Sequence, residues 1–135
     1  MRALVIDDER LARKELINLL NQLETVEVVG EAVNVEDAKE KIDQLQPDVI
    51  FLDIQMPEKT GFDLLEELDQ VPHVIFTTAY DEYALKAFQV NALDYLLKPI
   101  EPKRLEDAVL KLQGKMDGIA KREGQEGLGS QKKLT

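Results

Sequence analysis

Short apolar runs alternate with stretches of helical periodicity along most of the chain, and this alternation predicts the fold. Each run is followed by polar or turn-forming residues, as is typical of short buried strands. The five predicted strands lie in Ala3–Ile6, Val26–Val29, Val49–Leu52, Val74–Thr77 and Ala92–Leu97. The third run is apolar throughout, which favours a central strand that is buried on both faces.

Between these runs, apolar residues recur three and four positions apart, which is the spacing of one face of an amphipathic helix. Asn34 is a good N-cap for the second helix, and Pro47 ends it. The stripes comprise Ala12, Leu16, Leu19, Leu20 and Leu23; Val35, Ala38, Ile42 and Leu45; Phe62, Leu65 and Leu68; Ala84, Ala87 and Phe88; and Leu105, Ala108, Val109 and Leu112. Five successive strand–helix units predict an α/β fold with a doubly wound five-stranded parallel sheet and five helices.

Composition narrows the class of protein further. A chain of 135 residues, 44% hydrophobic and 33% charged, is expected to form one globular domain. The absence of cysteine excludes disulfides and thiolate metal sites. A net charge of −10 disfavours direct binding to nucleic acid but can concentrate divalent cations. No apolar run approaches membrane-spanning length and the N-terminus soon turns acidic, so we expect no membrane partner and a cytoplasmic location.

Chemically active side chains stand directly after four of the predicted strands. They are Asp7 and Asp8 after the first strand, Asp53 after the third, Thr78 after the fourth and Lys98 after the fifth. Because the carboxyl ends of parallel strands meet in one crevice, we expect these side chains to converge. Clustered carboxylates suit Mg²⁺, and a cation with a lysine suits phosphoryl chemistry, in which a carboxylate can become an aspartyl phosphate.

Simpler interpretations exist for the acids taken one at a time. Aspartate is common in turns and at helix N-termini, so Asp53 alone would favour a capping role, and Asp8 can cap the first helix. The joint occurrence of the acids with the lysine favours a site.

Four segments, VIDDER, IFLDIQMPEKTGFDLL, FTTAY and DYLLKPI, resemble the receiver domain of bacterial two-component response regulators in their residues, order and spacing. The resemblance covers roughly Arg2–Leu112 and implies the flavodoxin-like strand order 2-1-3-4-5. It implies that Asp53 is the phosphoacceptor and that Asp7 and Asp8 hold Mg²⁺ together with Asp53. Gln55 matches the position whose backbone carbonyl also binds the metal.

The same resemblance implies a switch. Thr78 matches the hydroxyl that contacts the phosphoryl group, Tyr95 matches the switch aromatic, and Lys98 matches the phosphate-contacting lysine, whose bond to Pro99 is expected to be cis. Thr77 is the alternative to Thr78, although the adjacent Ala79 in the sequence favours Thr78. Tyr95 can also be read as an ordinary core residue.

A finer resemblance concerns the segment TTAYDEYALKAFQVNALDYLLKPI, which is similar to receivers joined to a LytTR-type DNA-binding domain. We therefore expect a receiver domain in residues 1–120 and a linker in residues 121–135. The linker is flexible from about Glu123, given its Gly, Gln and Ser content. It leads toward a C-terminal domain, absent from this sequence, through which alone DNA would be bound. Met116 and Ile119 prolong the fifth helical stripe, while Gly114 and Gly118 weaken it.

The resemblance also implies partners. A sensor histidine kinase would supply the phosphoryl group, and phosphorylation would produce a homodimer through the face formed by helix 4, strand 5 and helix 5. That face carries acids and bases that can pair across a two-fold axis, namely Asp81, Glu82, Asp94, Lys86, Lys103 and Arg104. The protein is expected to be a switch that phosphorylates itself and slowly loses the phosphoryl group, and not an enzyme with a separate substrate.

Two other functions remain at this level. One is an aspartate-nucleophile phosphatase of the haloacid dehalogenase type, although those enzymes carry an acid two residues after the nucleophile, where this chain has Gln55. The other is a pseudo-receiver that only binds partners, against which the complete set of acids, hydroxyl and lysine argues.

Overall fold

Five strands form one parallel sheet. They are β1 (Arg2–Ile6), β2 (Glu27–Ala32), β3 (Val49–Asp53), β4 (His73–Thr78) and β5 (Asp94–Leu97). Their order in the sheet is β2-β1-β3-β4-β5, which confirms the predicted doubly wound α/β fold and the flavodoxin-like order. The computed structural model describes the backbone of residues 1–128 and the side chains of residues 1–118.

Five helices connect and flank the strands. They are α1 (Arg10–Leu20), α2 (Val35–Leu45), α3 (Gly61–Glu66), α4 (Ala84–Gln89) and α5 (Pro102–Leu128), with a 3₁₀ turn over Asp81–Tyr83 directly before α4. The side chain of Asn34 accepts a hydrogen bond from the backbone N–H of Asp37 at 2.8 Å, as expected of the predicted N-cap. Among residues 1–128, no helix combines the length and the apolarity that a membrane crossing requires.

The sheet separates two hydrophobic cores, because successive side chains of a strand point to opposite faces. Helices α2, α3 and α4 cover the face that carries Leu52 and Phe76, and we call this the α2–α4 core. Helices α1 and α5 cover the face that carries Phe51 and Ile75, and we call this the α1/α5 core. All five residues of β3 are buried, so the central strand brings its last residue, Asp53, to the sheet edge inside a dry environment.

Helix α5 extends beyond the length that the sequence predicts. The stripe Leu105, Ala108, Val109 and Leu112 packs in the α1/α5 core, and the helix continues to Leu128. The expectation of a flexible segment from Glu123 therefore differs from the structure as far as Leu128, and its remainder, residues 129–135, lies outside the described residues. The physical reason is that Lys, Arg, Glu and Gln, which dominate residues 121–126, are good helix formers.

The loop after β3 folds back on the strand because Gly61 has no side chain. The backbone N–H of Gly61 donates to the carbonyl oxygen of Ile54 at 2.9 Å. A Cβ atom at Gly61 would lie 2.6 Å from the backbone oxygen of Asp53 and 3.0 Å from Cγ of Leu52. This close approach fixes where the loop leaves the sheet edge.

Candidate functional site

Three carboxylates meet where β1 and β3 end. The two strands are adjacent and pair Ile6 with Leu52, so the residues that follow them lie side by side. Asp7 and Asp53 are only 3% and 4% exposed. One carboxylate oxygen from each of Asp7, Asp8 and Asp53 lies within 4.8 Å of the other two. The structure thus brings together the three acids that directly follow predicted strands in the sequence.

The capping interpretation fails for both acids. The N-cap of α1 is Glu9, and that helix has no side-chain cap, so Asp8 does not close its first turn. The N-cap of α3 is Thr60, seven residues after Asp53, and its side chain accepts from the backbone N–H of Asp63. Neither Asp8 nor Asp53 therefore caps the helix that follows it.

Lys98 places its ammonium between two of the acids. Its Nζ lies 2.7 Å from Oδ2 of Asp7 and 3.5 Å from Oδ1 of Asp53. Its backbone N–H donates to the carbonyl oxygen of Thr78 at 2.7 Å, which extends the β4–β5 pairing past the end of β5. The Lys98–Pro99 peptide bond is cis, as the resemblance implies.

The electrostatics of the cluster differ for its two central members. Burial, followed by the charges of Asp7 and Asp8, raises the pKa of Asp53 from 3.8 to about 7, although Lys98 opposes the rise. Burial alone would lower the pKa of Lys98, but its hydrogen bond to Asp7 and the charge of Asp53 outweigh burial and raise that pKa. Without a further cation, the cluster holds more negative charge than one ammonium neutralises, and the Asp53 carboxyl is only partly ionised near pH 7.

The donor set fits a hard divalent cation. Mg²⁺ prefers oxygen ligands about 2.1 Å from the ion and keeps several waters, so it requires only a few protein oxygens at mutual distances such as those found here. The three carboxylate oxygens satisfy this requirement, and the raised pKa of Asp53 reflects the energetic cost that a bound cation would remove.

A backbone segment connects Thr78 to Tyr95. The hydroxyl oxygen of Thr78 accepts a hydrogen bond from the backbone N–H of Tyr80 at 3.2 Å. The hydroxyl of Tyr95 donates to the backbone oxygen of the same Tyr80. The sequence indicates Thr78 and Tyr95 as a pair but does not identify Tyr80 between them. Both contacts of Tyr80 use backbone atoms, which every residue type carries, so the sequence gives no sign of them.

Thr77 and Thr78 lie on opposite faces of the sheet. Thr77 and Thr78 are both buried, each about 1% exposed, but side chains alternate along β4. Thr78 follows Phe76 onto the face of the α2–α4 core, against which Tyr95 packs, whereas Thr77 follows Ile75 onto the opposite face. Tyr95 is therefore a partly buried core neighbour as well as a hydrogen-bonding residue.

Gln55 makes a contact that the sequence did not indicate. Its side-chain amide donates to the hydroxyl of Tyr83 at 2.8 Å and joins the loop after β3 to the turn before α4. The ring of Tyr83 in turn packs against Phe62, with centroids 6.1 Å apart.

Several charged side chains on the face formed by α4, β5 and α5 are paired within the chain. Asp94 receives two hydrogen bonds from Arg104, at 2.6 and 3.0 Å, and lies 3.3 Å from the ammonium of Lys111. Lys103 pairs with Asp107 at 3.0 Å. Asp94, Lys103 and Arg104 thus have partners within their own chain, and their pairing across a two-fold axis stays a prediction.

A comparison with family models matches residues 3–110 to the response regulator receiver domain. The chain belongs to this family. The receiver domain is 48% identical over 115 residues to the transcriptional regulatory protein BtsR of Salmonella typhi, and 47% identical over 114 residues to the sensory transduction protein LytT of Bacillus cereus. These alignments cover 84% and 82% of this chain but 48% and 46% of the relatives, so the receiver domain spans about half the length of the curated proteins it matches.

A solved structure agrees with this assignment. The response regulatory domain of protein mrkE from Klebsiella pneumoniae superposes with a TM-score of 0.78 at 32% identity, covering 87% of this chain and 99% of that one. Members of the receiver family serve signalling, bind Mg²⁺ and act within two-component systems. Asp7, Asp8, Asp53 and Lys98 therefore lie together in a domain of the family that the motifs indicated.

Proposed function

We propose that this receiver domain is phosphorylated on Asp53 by a sensor histidine kinase. The observation that supports the proposal most strongly is the position of Asp53: a buried carboxylate at the end of the central strand, with two further acids and one ammonium within reach. Lys98 is placed to pair with the oxygens of an incoming phosphoryl group.

In the transfer, a carboxylate oxygen of Asp53 attacks phosphorus while the bond from phosphorus to the kinase histidine breaks, and the histidine nitrogen leaves with the electron pair. The nucleophile must be ionised, although the pKa of Asp53 is raised to about 7. Asp7, Asp8, Asp53 and the backbone carbonyl of Gln55 would hold Mg²⁺, which would supply positive charge to the reacting oxygens. Small phosphodonors can replace the kinase, and slow hydrolysis of the acyl phosphate returns the carboxylate.

The phosphoryl group changes the state of the switch through Thr78. A new dianionic group at Asp53 attracts the Thr78 hydroxyl, which at present accepts from the N–H of Tyr80. Withdrawal of that hydroxyl frees the backbone N–H of Tyr80, the residue whose carbonyl oxygen accepts from the hydroxyl of Tyr95. The bistable element is then Thr78, the backbone of Tyr80 and Tyr95 together.

The output of this switch is a homodimer through the α4–β5–α5 face. Leu85, Phe88, Leu97 and Leu110 are exposed there, with Phe88 as much as 79% exposed. Since Asp94, Lys103 and Arg104 are paired within the chain, burial of these apolar side chains is the main favourable term. Residues 1–120 form the receiver domain, and residues 121–135 lead to a C-terminal domain that contacts DNA and regulates transcription, as the name of the relative BtsR suggests.

The phosphorylation site is tested by intact mass after treatment with acetyl phosphate and Mg²⁺. The unchanged protein is expected to gain one phosphoryl group, whereas Asp53→Asn gains none. Asp69→Asn, an exposed acid far along the chain from the cluster, is the matched control and should behave as the unchanged protein. Equal incorporation by Asp53→Asn would refute the assignment.

The dimer is tested by sedimentation with and without beryllofluoride, which mimics the phosphoryl group. We expect the mimic to shift the unchanged protein from monomer toward dimer, and Phe88→Ser to prevent the shift. Leu11→Ser removes an equally exposed apolar residue from α1, on the other side of the domain, and should leave the shift intact. A shift that persists in Phe88→Ser and in Thr78→Ala would contradict the proposed face and the proposed switch.

A further inference from the structure

Arg13 is a mostly buried arginine beside the acid cluster. It lies on α1, and its side chain is only 12% exposed. Its guanidinium donates in two directions: Nη1 to the backbone oxygen of Asp7 at 3.0 Å, and Nε to Oε1 of Glu31 at 2.7 Å. The side chain therefore ties α1 to the end of β1 and to β2.

The first of these contacts completes a set of four around Asp7. Its backbone N–H donates to Ala32 at 3.0 Å, its Oδ1 accepts from the N–H of Glu9 at 2.8 Å, and its Oδ2 accepts from Lys98 at 2.7 Å. The carbonyl oxygen was the remaining polar atom, and Arg13 holds it. Every hydrogen-bonding atom of this acid thus has a fixed direction.

The carbonyl contact also orients the neighbouring acid. The peptide unit is planar, so fixing the Asp7 carbonyl fixes the direction in which the chain enters Asp8. Asp8 is more exposed than Asp7, and a hydrogen bond that sets its approach restricts where its carboxylate can lie. Residues that orient metal ligands commonly influence metal affinity as strongly as some ligands do.

The second contact sets the direction of the guanidinium itself. Glu31 is half exposed, so this ion pair contributes little stability on its own. Its geometric effect is larger: a carboxylate on Nε leaves Nη1 pointing to Asp7. A lysine at this position has one ammonium and cannot reproduce two bonds at a fixed angle.

We propose that Arg13 is a positioning residue for the Mg²⁺ site: held by Glu31, it fixes the Asp7–Asp8 peptide in the orientation that cation binding requires. This inference rests on the proposed magnesium site formed by Asp7, Asp8 and Asp53. Arg13 touches neither the phosphoryl group nor the ion, and acts through the backbone of Asp7.

The test is the dissociation constant for Mg²⁺ of the unphosphorylated protein, measured by calorimetric titration. Arg13→Met is expected to weaken binding by about tenfold, as for other residues that orient metal ligands. Arg13→Lys should recover only a small part of this loss, and Glu31→Gln should show an intermediate loss. Phosphorylation by acetyl phosphate should need more Mg²⁺ in Arg13→Met but reach nearly the unchanged rate at saturating Mg²⁺.

Two controls separate positioning from charge and from stability. Arg10→Met removes an exposed arginine from the same helix, closer in sequence to the acids, and should change the dissociation constant by less than Arg13→Met does. Ile42→Val destabilises α2 away from the site and should leave Mg²⁺ affinity unchanged.

The outcomes distinguish the two proposals. Unchanged or tighter Mg²⁺ binding in Arg13→Met would overturn the positioning role alone, because loss of a nearby positive charge by itself favours binding of a cation. Full recovery in Arg13→Lys would also overturn it, because lysine cannot reproduce the two bonds of the guanidinium. Absence of Mg²⁺ binding by the unchanged protein would overturn the magnesium site and this inference together.

Discussion

Replacing Asp53 by asparagine is expected to stabilise the metal-free protein, and to do so more strongly as the pH rises. The pKa of Asp53 is raised by burial and by the neighbouring acids, from 3.8 to about 7 in the folded state. Below pH 3.8 the carboxyl is protonated in both the folded and the unfolded chain, so its contribution to stability is fully present. As the pH rises from about 4 to about 7, the unfolded chain releases the proton while the folded chain keeps it, and stability falls.

The size of this effect follows from the same shift. A difference of about three pKa units at about 1.4 kcal/mol per unit gives at most about 4 kcal/mol at pH 8. The carboxylate is only 4% exposed, so solvent screens little of this cost. Asparagine has nearly the same shape and no charge, and Lys98 keeps its contact with Asp7 in the variant.

The assay is urea denaturation in EDTA at pH 5, 6, 7 and 8, for the unchanged protein and for Asp53→Asn. The free energy of unfolding of the variant, minus that of the unchanged protein, should increase with pH and level off above about 7. Saturating Mg²⁺ should reduce the difference, because cation binding to the folded state stabilises the unchanged protein by mass action. The exposed control Asp69→Asn should show a nearly constant difference. A difference for Asp53→Asn that is independent of pH, or that favours the unchanged protein at pH 8, would refute the reasoning.

Three further predictions concern single contacts. Lys98→Met should tighten Mg²⁺ binding by about fivefold or more in calorimetric titration, because it removes a positive charge worth roughly 1 kcal/mol at a distance of about 4 Å; unchanged or weaker binding would contradict this. Arg104→Ala should lower the free energy of unfolding by about 1–2 kcal/mol at pH 7, because Asp94 loses a charged partner. Burial would raise the pKa of Asp94, but Arg104 outweighs burial and lowers it, so the loss should shrink as denaturation is repeated below pH 3.8. Gly61→Ala should destabilise the protein by about 1–3 kcal/mol and slow phosphorylation by acetyl phosphate, because the added Cβ meets the backbone oxygen of Asp53; full activity would contradict this.

The fold and the position of the acid cluster could be predicted from the sequence because both depend on simple periodicity. Apolar runs marked the strands, and parallel strands bring their carboxyl ends together, so Asp7, Asp53 and Lys98 had to converge once the sheet was assumed. The strand order came from the resemblance and not from periodicity, since several orders satisfy the same alternation.

Partner choice among charged and polar side chains could not be predicted. The sequence shows that Asp94 and Arg104 are present but not that they pair within one chain, because many arrangements of surface charge share one pattern. The same limit hid the bond from Gln55 to Tyr83 and the two contacts of Arg13. Such contacts depend on loop geometry and on the reach of long side chains.

The alternation of β4 between the two cores has an evolutionary consequence. Thr77 and Thr78 point to opposite sides of the sheet. The strand can therefore accept many substitutions, but it cannot accept a change in its number of residues. Inserting or deleting one residue of β4 before Thr77 would move each side chain of the strand to the opposite face of the sheet. Thr77 and Thr78 would then exchange faces, and Phe76 would point into the α1/α5 core. Lineages of this domain are therefore expected to differ in the residues of β4 but to share its residue count, with length changes confined to the loops.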